Sequence, residues 1–390
     1  MSRLLLLLAF VFLAPFAGAQ EKESKDTLNR KAVEALQAKK FDEGIALLMK
    51  ILETNPNDKD TAYNLACAYS LKAEPDKAFE WLDKMVAWGW GVGTGRIVGI
   101  DTPMSHVEML QKDPDFENLR KDPRWEKLLA GLAKADEERA ARKKKGEEYA
   151  ATAAIYVPEK AKGLAEMPVL VVLHDAGSTK DAVVAGRWKE IADELGFALI
   201  APSGKILVGE EAEKGMTWID DFEAYKLKYW TFEKPATDAI SAFKKDHPLD
   251  KNRVVIAGEG VGALVALNTA IGNPGLIKGA VALNGGVNAE LMAAKAPTAG
   301  KMGLRVRILF EGPALAKLMT DGGQKAEDGE KLVAAWSKSL QTWGIAGEVK
   351  MLPADAAGTK TQIVEAIRAV LERDAAAPKP EAPKEPAPTK

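Results

Sequence analysis

The residues best placed to do chemistry are Gly258-Glu259-Gly260-Val261-Gly262-Ala263, where a strand-like run gives way to a helix-like one. Read as G-x-G-x-x-A, the segment has the form of a dinucleotide fingerprint, whose amides hold a pyrophosphate at a helix start. That fingerprint belongs on the first strand of its fold, with an acid about 20 residues on for the ribose. Here several strand-like runs come first and the next one ends in Asn284-Gly285, so no dinucleotide is expected. Acid–base work needs an imidazole or placed carboxylates. The chain has three histidines, His106, His174 and His247, too dispersed for a metal site, and it has no H-E-x-x-H or paired-cysteine spacing. The single Cys67 lies among apolar residues of a helix-like run and reads as an inert buried thiol. The glycine-rich run over 91–99 lacks the Lys-Ser/Thr pair of a phosphate loop and reads as a connection. No metal and no cofactor is expected.

The elements that must position these residues follow from apolar patterning. Strand-like runs at Ala153–Val157, Val169–His174, Phe197–Pro202, Val254–Gly258, Lys278–Asn284, Arg305–Phe310 and Glu348–Leu352 alternate with amphipathic stretches. This predicts an α/β domain with a mostly parallel sheet covered by helices on both faces. Before it, two segments repeat with a period near 34 residues, from Leu28 to Asp58 and from Ala62 to Trp88. That is the length of a helix–turn–helix unit that buries its apolar face only by stacking on a neighbour. Helix starts at Asp113-Pro114 and Asp122-Pro123 follow. Trp81, Met85, Trp88 and Trp90 read as core packing at helical spacing.

The remaining stretches set the boundaries. Arg3, the apolar run Leu4–Leu13 and Ala17-Gly18-Ala19 predict a cleavable secretory signal over 1–19, hence a secreted or periplasmic protein without a membrane span. The helical array is expected over 26–130, a charged linker over 131–149, the α/β domain over 150–374, and a disordered Pro-rich tail over 375–390. A formal charge of −2 with no basic aromatic stripe argues against nucleic acid as a partner.

Two family resemblances follow from these motifs. Phe41, Gly44, Leu48, Ile51 and Pro56, then Leu65, Ala66, Tyr69, Ala78 and Leu82, are similar to tetratricopeptide repeats, although Lys31 and Ala32 depart from the pattern. The resemblance implies a groove for a peptide or protein partner. In the α/β part, "PVLVVLHDAG" at Pro168–Gly177, "GFALIAPSG" at Gly196–Gly204 and "DHPLDKNRVVIAGEGVGALVAL" at Asp246–Leu267 resemble α/β-hydrolases, particularly the esterase and polyester-depolymerase-like branch. In that family G-x-S-x-G places a nucleophilic serine on a strained turn. The serine's position holds Gly260. The resemblance further implies an acid near Glu311 and a histidine near Thr359, and no histidine follows Gly300. The triad is therefore degenerate, and a non-catalytic binding or scaffold module is expected. The Val261 amide and the Asp175-Ala176 turn would form an oxyanion-type site for a small carbonyl or anionic ligand, lined by His174 and Trp218. The alternative is a divergent hydrolase with relocated chemistry on Asp175, Asp220, Asp221 or Glu259.

Overall fold

A computed structural model describes residues 24–88, 90, 94–95, 104–219, 222–321, 325–352 and 356–372. The expected signal segment, the tail beyond Glu372, most of the run over 91–99, and Asp220 and Asp221 lie outside the described residues. The chain divides into two units, with the boundary between Ala141 and Arg142.

In the first unit, helices α1 (Lys25–Gln37), α2 (Phe41–Thr54), α3 (Lys59–Leu71) and α4 (Pro75–Ala87) form two hairpins. Their repetition extends to the backbone. Lys39 and Ala73, 34 positions apart, both take positive φ, at 58° and 60°. The residue after each closes the same turn, Lys40 N donating to Ala35 O and Glu74 N to Tyr69 O. Ser24 and Asp58 cap α1 and α3 with their side chains, which satisfies amides a helix start leaves open. Leu48, Ile51, Leu65, Ala66, Ala78 and Leu82 are buried between the helices. Trp90 stacks between Tyr63 and His106, so its ring and that imidazole are core groups.

A short helix α5 (His106–Lys112) opens with a Ser105/Glu108 capping box, and α6 (Pro123–Ala150) then runs across the unit boundary. The charged segment expected as a linker is thus helical. In its last two turns Gly146 is buried, and a side chain there would run into the Lys205 carbonyl. Arg142 donates to the Leu207 carbonyl, and Lys180 donates to the carbonyls of Tyr149 and Thr152 just past the helix end. Capping the last carbonyls with a cation is favourable for the helix dipole as well.

The second unit is built on seven strands: β1 (Ala154–Tyr156), β2 (Met167–Leu173), β3 (Ala198–Ala201), β4 (Leu249–Glu259), β5 (Gly279–Leu283), β6 (Arg305–Phe310) and β7 (Ala346–Met351). All seven coincide with the strand-like runs of the sequence. Their order is β7-β6-β5-β4-β2-β3-β1, parallel except for β1, which is antiparallel to β3. Helices α7 (Lys180–Ala185) and α8 (Arg187–Leu195) lie between β2 and β3 in the chain, and strand residues alternate between two apolar layers. Val169, Val171, Ile256, Ala280 and Ile308 join the α9 (Phe222–Asp246) and α10 (Val261–Gly272) side. Leu170, Val172, Val255, Val281 and Leu309 face Trp188, Ile191, Ile363 and Ile367 on the other. From β2 the chain winds one way to β3, and from β4 the other way to β7. The reversal falls between β2 and β4, the place where such sheets form a crevice.

Inside α9 the fold buries a carboxyl. Glu233 is 5 % exposed and its Oε1 has no hydrogen-bond partner. Burial pushes its pKa up to about 7, and the Lys295 ammonium only partly offsets this. Because the folded state holds this proton to higher pH than the unfolded chain, stability is greatest below pH 4.5 and is lost as pH rises towards 7. The withdrawal is on the order of 3 kcal/mol. Glu233→Gln is expected to remove that decline, so urea melts of the variant are expected to gain over the parent as pH is raised from about 5 to about 8.

Candidate functional site

The site grows from a close crossing of three backbone segments. β2 and β4 pair side by side to their ends, Leu173 opposite Gly258. α10 starts at Val261, directly past β4, and its first turn passes under the β2 end. A Cβ on Gly262 would strike the carbonyls of Leu173 and His174, and one on Gly258 would strike Gly262 itself. The outer glycines of the G-x-G-x-G segment are thus required by contact distance. The central one is required by conformation: Gly260 has φ 51° and ψ −116°. A side chain at such an angle costs about 1–3 kcal/mol, and Gly adopts it almost freely. This is the sharp strand-to-helix turn that presents a nucleophile when its central residue has one.

The space over Gly260 is filled. A Cβ there would run into the Asp175 carboxylate. Asp175 Oδ1 accepts from Val261 N at 3.0 Å and from Ala176 N at 2.7 Å. These are the two amides expected to form an oxyanion-type site, and the structure brings them together on a single oxygen. What differs from the expectation is the role of Asp175. It was placed among the residues of the receiving turn, and its side chain is the received anion. Burial raises the Asp175 pKa, the two amides lower it, Glu259 raises it again, and the net direction is upward. Nothing local to residue 175 signals the contact with Val261, because that amide lies 86 residues on.

His174 serves as a peg. Its Nδ1 donates to the Asp175 carbonyl at 2.8 Å, and its Nε2 accepts from Gly204 N at 3.1 Å. These partners fix the neutral Nδ1–H tautomer, because a second ring proton would face the Gly204 N–H. Burial lowers its pKa to about 4, against the opposing pull of the Asp175 carbonyl. Ser203 Oγ lies 3.4 Å from the same Nε2. That pair cannot work as nucleophile and base. Ser203 is fully buried, its hydroxyl donates to the Gly204 carbonyl at 2.9 Å, and the imidazole lone pair is already spent on Gly204 N–H. Trp218 is 2 % exposed and donates from Nε1 to the His174 carbonyl at 2.8 Å, so it braces the turn from below where a cleft-lining role was expected.

Around the elbow the remaining acids are tied to one cation. Arg187 holds Glu259 with two bonds of 3.0 Å, Nε to Oε1 and Nη2 to Oε2, and Trp188 Nε1 donates to Glu259 Oε1 at 2.5 Å. Arg187 Nη1 also reaches Glu311 Oε1 at 3.8 Å. Glu311, at the end of β6 where the acid was expected, is locked to Asn284 by two further bonds, Asn284 Nδ2 to Oε2 at 2.8 Å and Glu311 N to Asn284 Oδ1 at 2.9 Å. Bidentate pairing of this kind fixes a carboxylate's orientation. Neither Arg187 nor Asn284 was singled out from the sequence. Thr359, in the histidine's expected place, is buried in the helix Ala356–Ala369.

The other histidines are elsewhere. His247 packs on Phe243 with ring centroids 4.5 Å apart, and His106 stacks on Trp90 in the first unit. The one grouping of metal-ligating type among the described residues is Cys67, Asp113 and Asp115, whose ligand atoms lie within 4.8 Å of one another. Its donors are committed. Asp113 accepts from the Tyr63 hydroxyl at 2.5 Å and from Asp115 N at 3.0 Å, and burial pushes the Cys67 thiol well up, away from the thiolate a metal needs.

Residues 151–302 match the family described as Esterase PHB depolymerase. Among solved structures, an uncharacterised protein from Bacillus cereus ATCC 10987 is similar at 16% identity, over 89% of this chain and 99% of its own, with a TM-score of 0.39. Esterase PE8 is similar at 16% identity, over 56% of this chain and 98% of its own, with a TM-score of 0.42. A carboxylesterase from Mesorhizobium loti is similar at 17% identity, over 56% of this chain and 93% of its own, with a TM-score of 0.40. No curated protein matches the chain. The unit itself has a mostly parallel sheet with helices on both faces.

Because His174 ionises near pH 4 in the fold and near 6.5 when free, its neutral form contributes stability that is complete above 6.5 and is lost as pH falls towards 4. Its ring proton resonances are expected to hold still on titration from about pH 8 to about pH 5, while those of an exposed imidazole move through their midpoint near 6.5. A midpoint for His174 inside that range would contradict the peg geometry.

Proposed function

We propose that the chain is an exported, non-catalytic member of the α/β-hydrolase fold that acts as a binding or scaffold module, with its tetratricopeptide-like helical array as the protein-facing part. One observation carries the reading: the position of the nucleophile has no side chain, and the chain's own Asp175 carboxylate lies where a nucleophile and its oxyanion would meet. Acyl transfer asks for an attacking atom, a base to take its proton and amides free to receive the developing charge. Gly260 supplies no attacking atom. His174 is spent on two backbone groups, and the amides of Val261 and Ala176 already carry an anion. Export rests on the signal-like residues 1–19, and the interaction role on the 34-residue recurrence of helix hairpins.

The competing reading, a hydrolase with relocated acids, would lean on Glu259 or Asp175. Glu259 is poorly suited, since Arg187 and Trp188 occupy both of its oxygens. Purified protein is expected to give no turnover above background on a panel of activated ester, amide and glycoside substrates. Turnover that disappears in Glu259→Gln would establish the relocated enzyme instead. Gly260→Ser is expected to remain inactive and to lose stability, about 1–3 kcal/mol from the backbone angle alone, with displacement of the Asp175 carboxylate added to it. A serine variant that turns over an activated ester would refute the reading. For the array, cross-links from the intact chain to a captured protein partner are expected to fall within residues 26–130. Cross-links confined to 150–372 would remove the array from the proposal.

A further inference from the structure

We propose that the cradle formed by the Val261 and Ala176 amides is a carboxylate-binding site that the chain keeps occupied in cis, with Asp175 as its permanent ligand and Gly260 as the space that admits it. The inference deepens the non-catalytic reading by naming the ligand class of the residual site and the group that closes it. Three features of the turn converge on it. The donors come from two different elements, the turn after β2 and the first residue of α10, and both point at one oxygen. The acceptor is 86 residues from Val261 in sequence, so the bond is tertiary. Gly260 carries no Cβ, and one added there would collide with the carboxylate.

The geometry also says what a foreign ligand must look like. Asp175 places one carboxylate oxygen on both amides, while burial and then the charge of Glu259, the residue before Gly260 and already paired with Arg187, lift the Asp175 pKa. A competing occupant is therefore a small monocarboxylate, entering only after the Asp175 side chain is gone. Residues 175 and 260 are a coupled pair. A side chain at 260 is tolerated in proportion as the one at 175 is shortened.

The experiment uses the intact chain, its Asp175→Gly and Asp175→Asn variants, and sodium acetate as the probe, with sodium chloride at equal ionic strength as the control. In Asp175→Gly, acetate is expected to raise the melting temperature saturably and to shift the amide resonances of Val261 and Ala176. The parent is expected to show neither response. Asp175→Asn, which keeps an acceptor oxygen in place, is expected to fold like the parent and to be equally unresponsive, and Asp175→Ala, which removes the acceptor and is expected to respond as the glycine variant does, serves if Asp175→Gly does not fold. In the second arm, Gly260→Ala is expected to lower the melting temperature of the parent by at least twice as much as it lowers that of Asp175→Gly. If the parent's two amides move with acetate as the variant's do, the cradle is open and the proposal is overturned. Equal costs of Gly260→Ala in both backgrounds, or a folded Asp175→Gly with no saturable acetate response, overturn it as well. None of these readouts involves turnover, so an active wild-type protein would sink the non-catalytic reading while leaving the plug to be judged on its own.

Discussion

The contact between one carboxylate oxygen and two backbone amides, Asp175 Oδ1 with Val261 N and Ala176 N, is the interaction around which the α/β unit is organised. It joins the loop leaving β2 to the helix leaving β4 at the point where the sheet reverses its winding. A buried amide without a partner costs about 1–3 kcal/mol, and an ionised acceptor is the strongest partner it can have. In a hydrolase these donors must stay open for a charge that develops during reaction. Here both donate to the Asp175 carboxylate, and neighbouring groups hold the same turn. His174 pegs the carbonyl of Asp175 to the Gly204 amide, and Trp218 supports the carbonyl of His174 from the layer below.

The charged groups near the joint obey the same logic. Glu259 and Glu311 would repel each other and Asp175 if left alone, and Arg187 stands among them as the shared counter-ion. Its guanidinium is bidentate on Glu259, with the Trp188 indole adding a third donor to that carboxylate. Asn284, held at φ 55°, clasps Glu311 through both ends of its amide. Positive φ in a non-glycine residue is sustained only where the surroundings over-determine it, and here the two side-chain bonds and the Asn284 N bond to the Leu309 carbonyl do so. A carboxylate at the end of β6 has thereby become part of a structural clasp.

Local pattern sufficed for much of the architecture. Runs such as Val169–Leu173 and Val254–Ala257 are apolar on both faces, which only a strand buried between two helix layers requires, so their existence and parallel pairing were legible. The 34-residue recurrence was legible for a similar reason, since Gly44, Leu48 and Leu82 recur at the spacing that stacking demands. The charged run over 134–148 was legible as a solvated helix or linker at the boundary, but the burial of Gly146 was not, because composition records solvent preference of side chains and says nothing of one small residue. Gly146 lets the helix approach the Lys205 carbonyl, and its charged neighbours keep their heads in water.

By itself the sequence determined that residue 260 carries no side chain and that no histidine follows residue 300, and no folding can add a hydroxyl or an imidazole. The tertiary structure alone decided what lies over Gly260. Which carboxylate enters the cradle depends on how the β2 loop and the start of α10, 86 residues apart, are brought edge to edge by the register of Leu173 with Gly258. A distance of 3.0 Å between two such remote groups is set by the packing of the whole sheet, and no local pattern of residues encodes it.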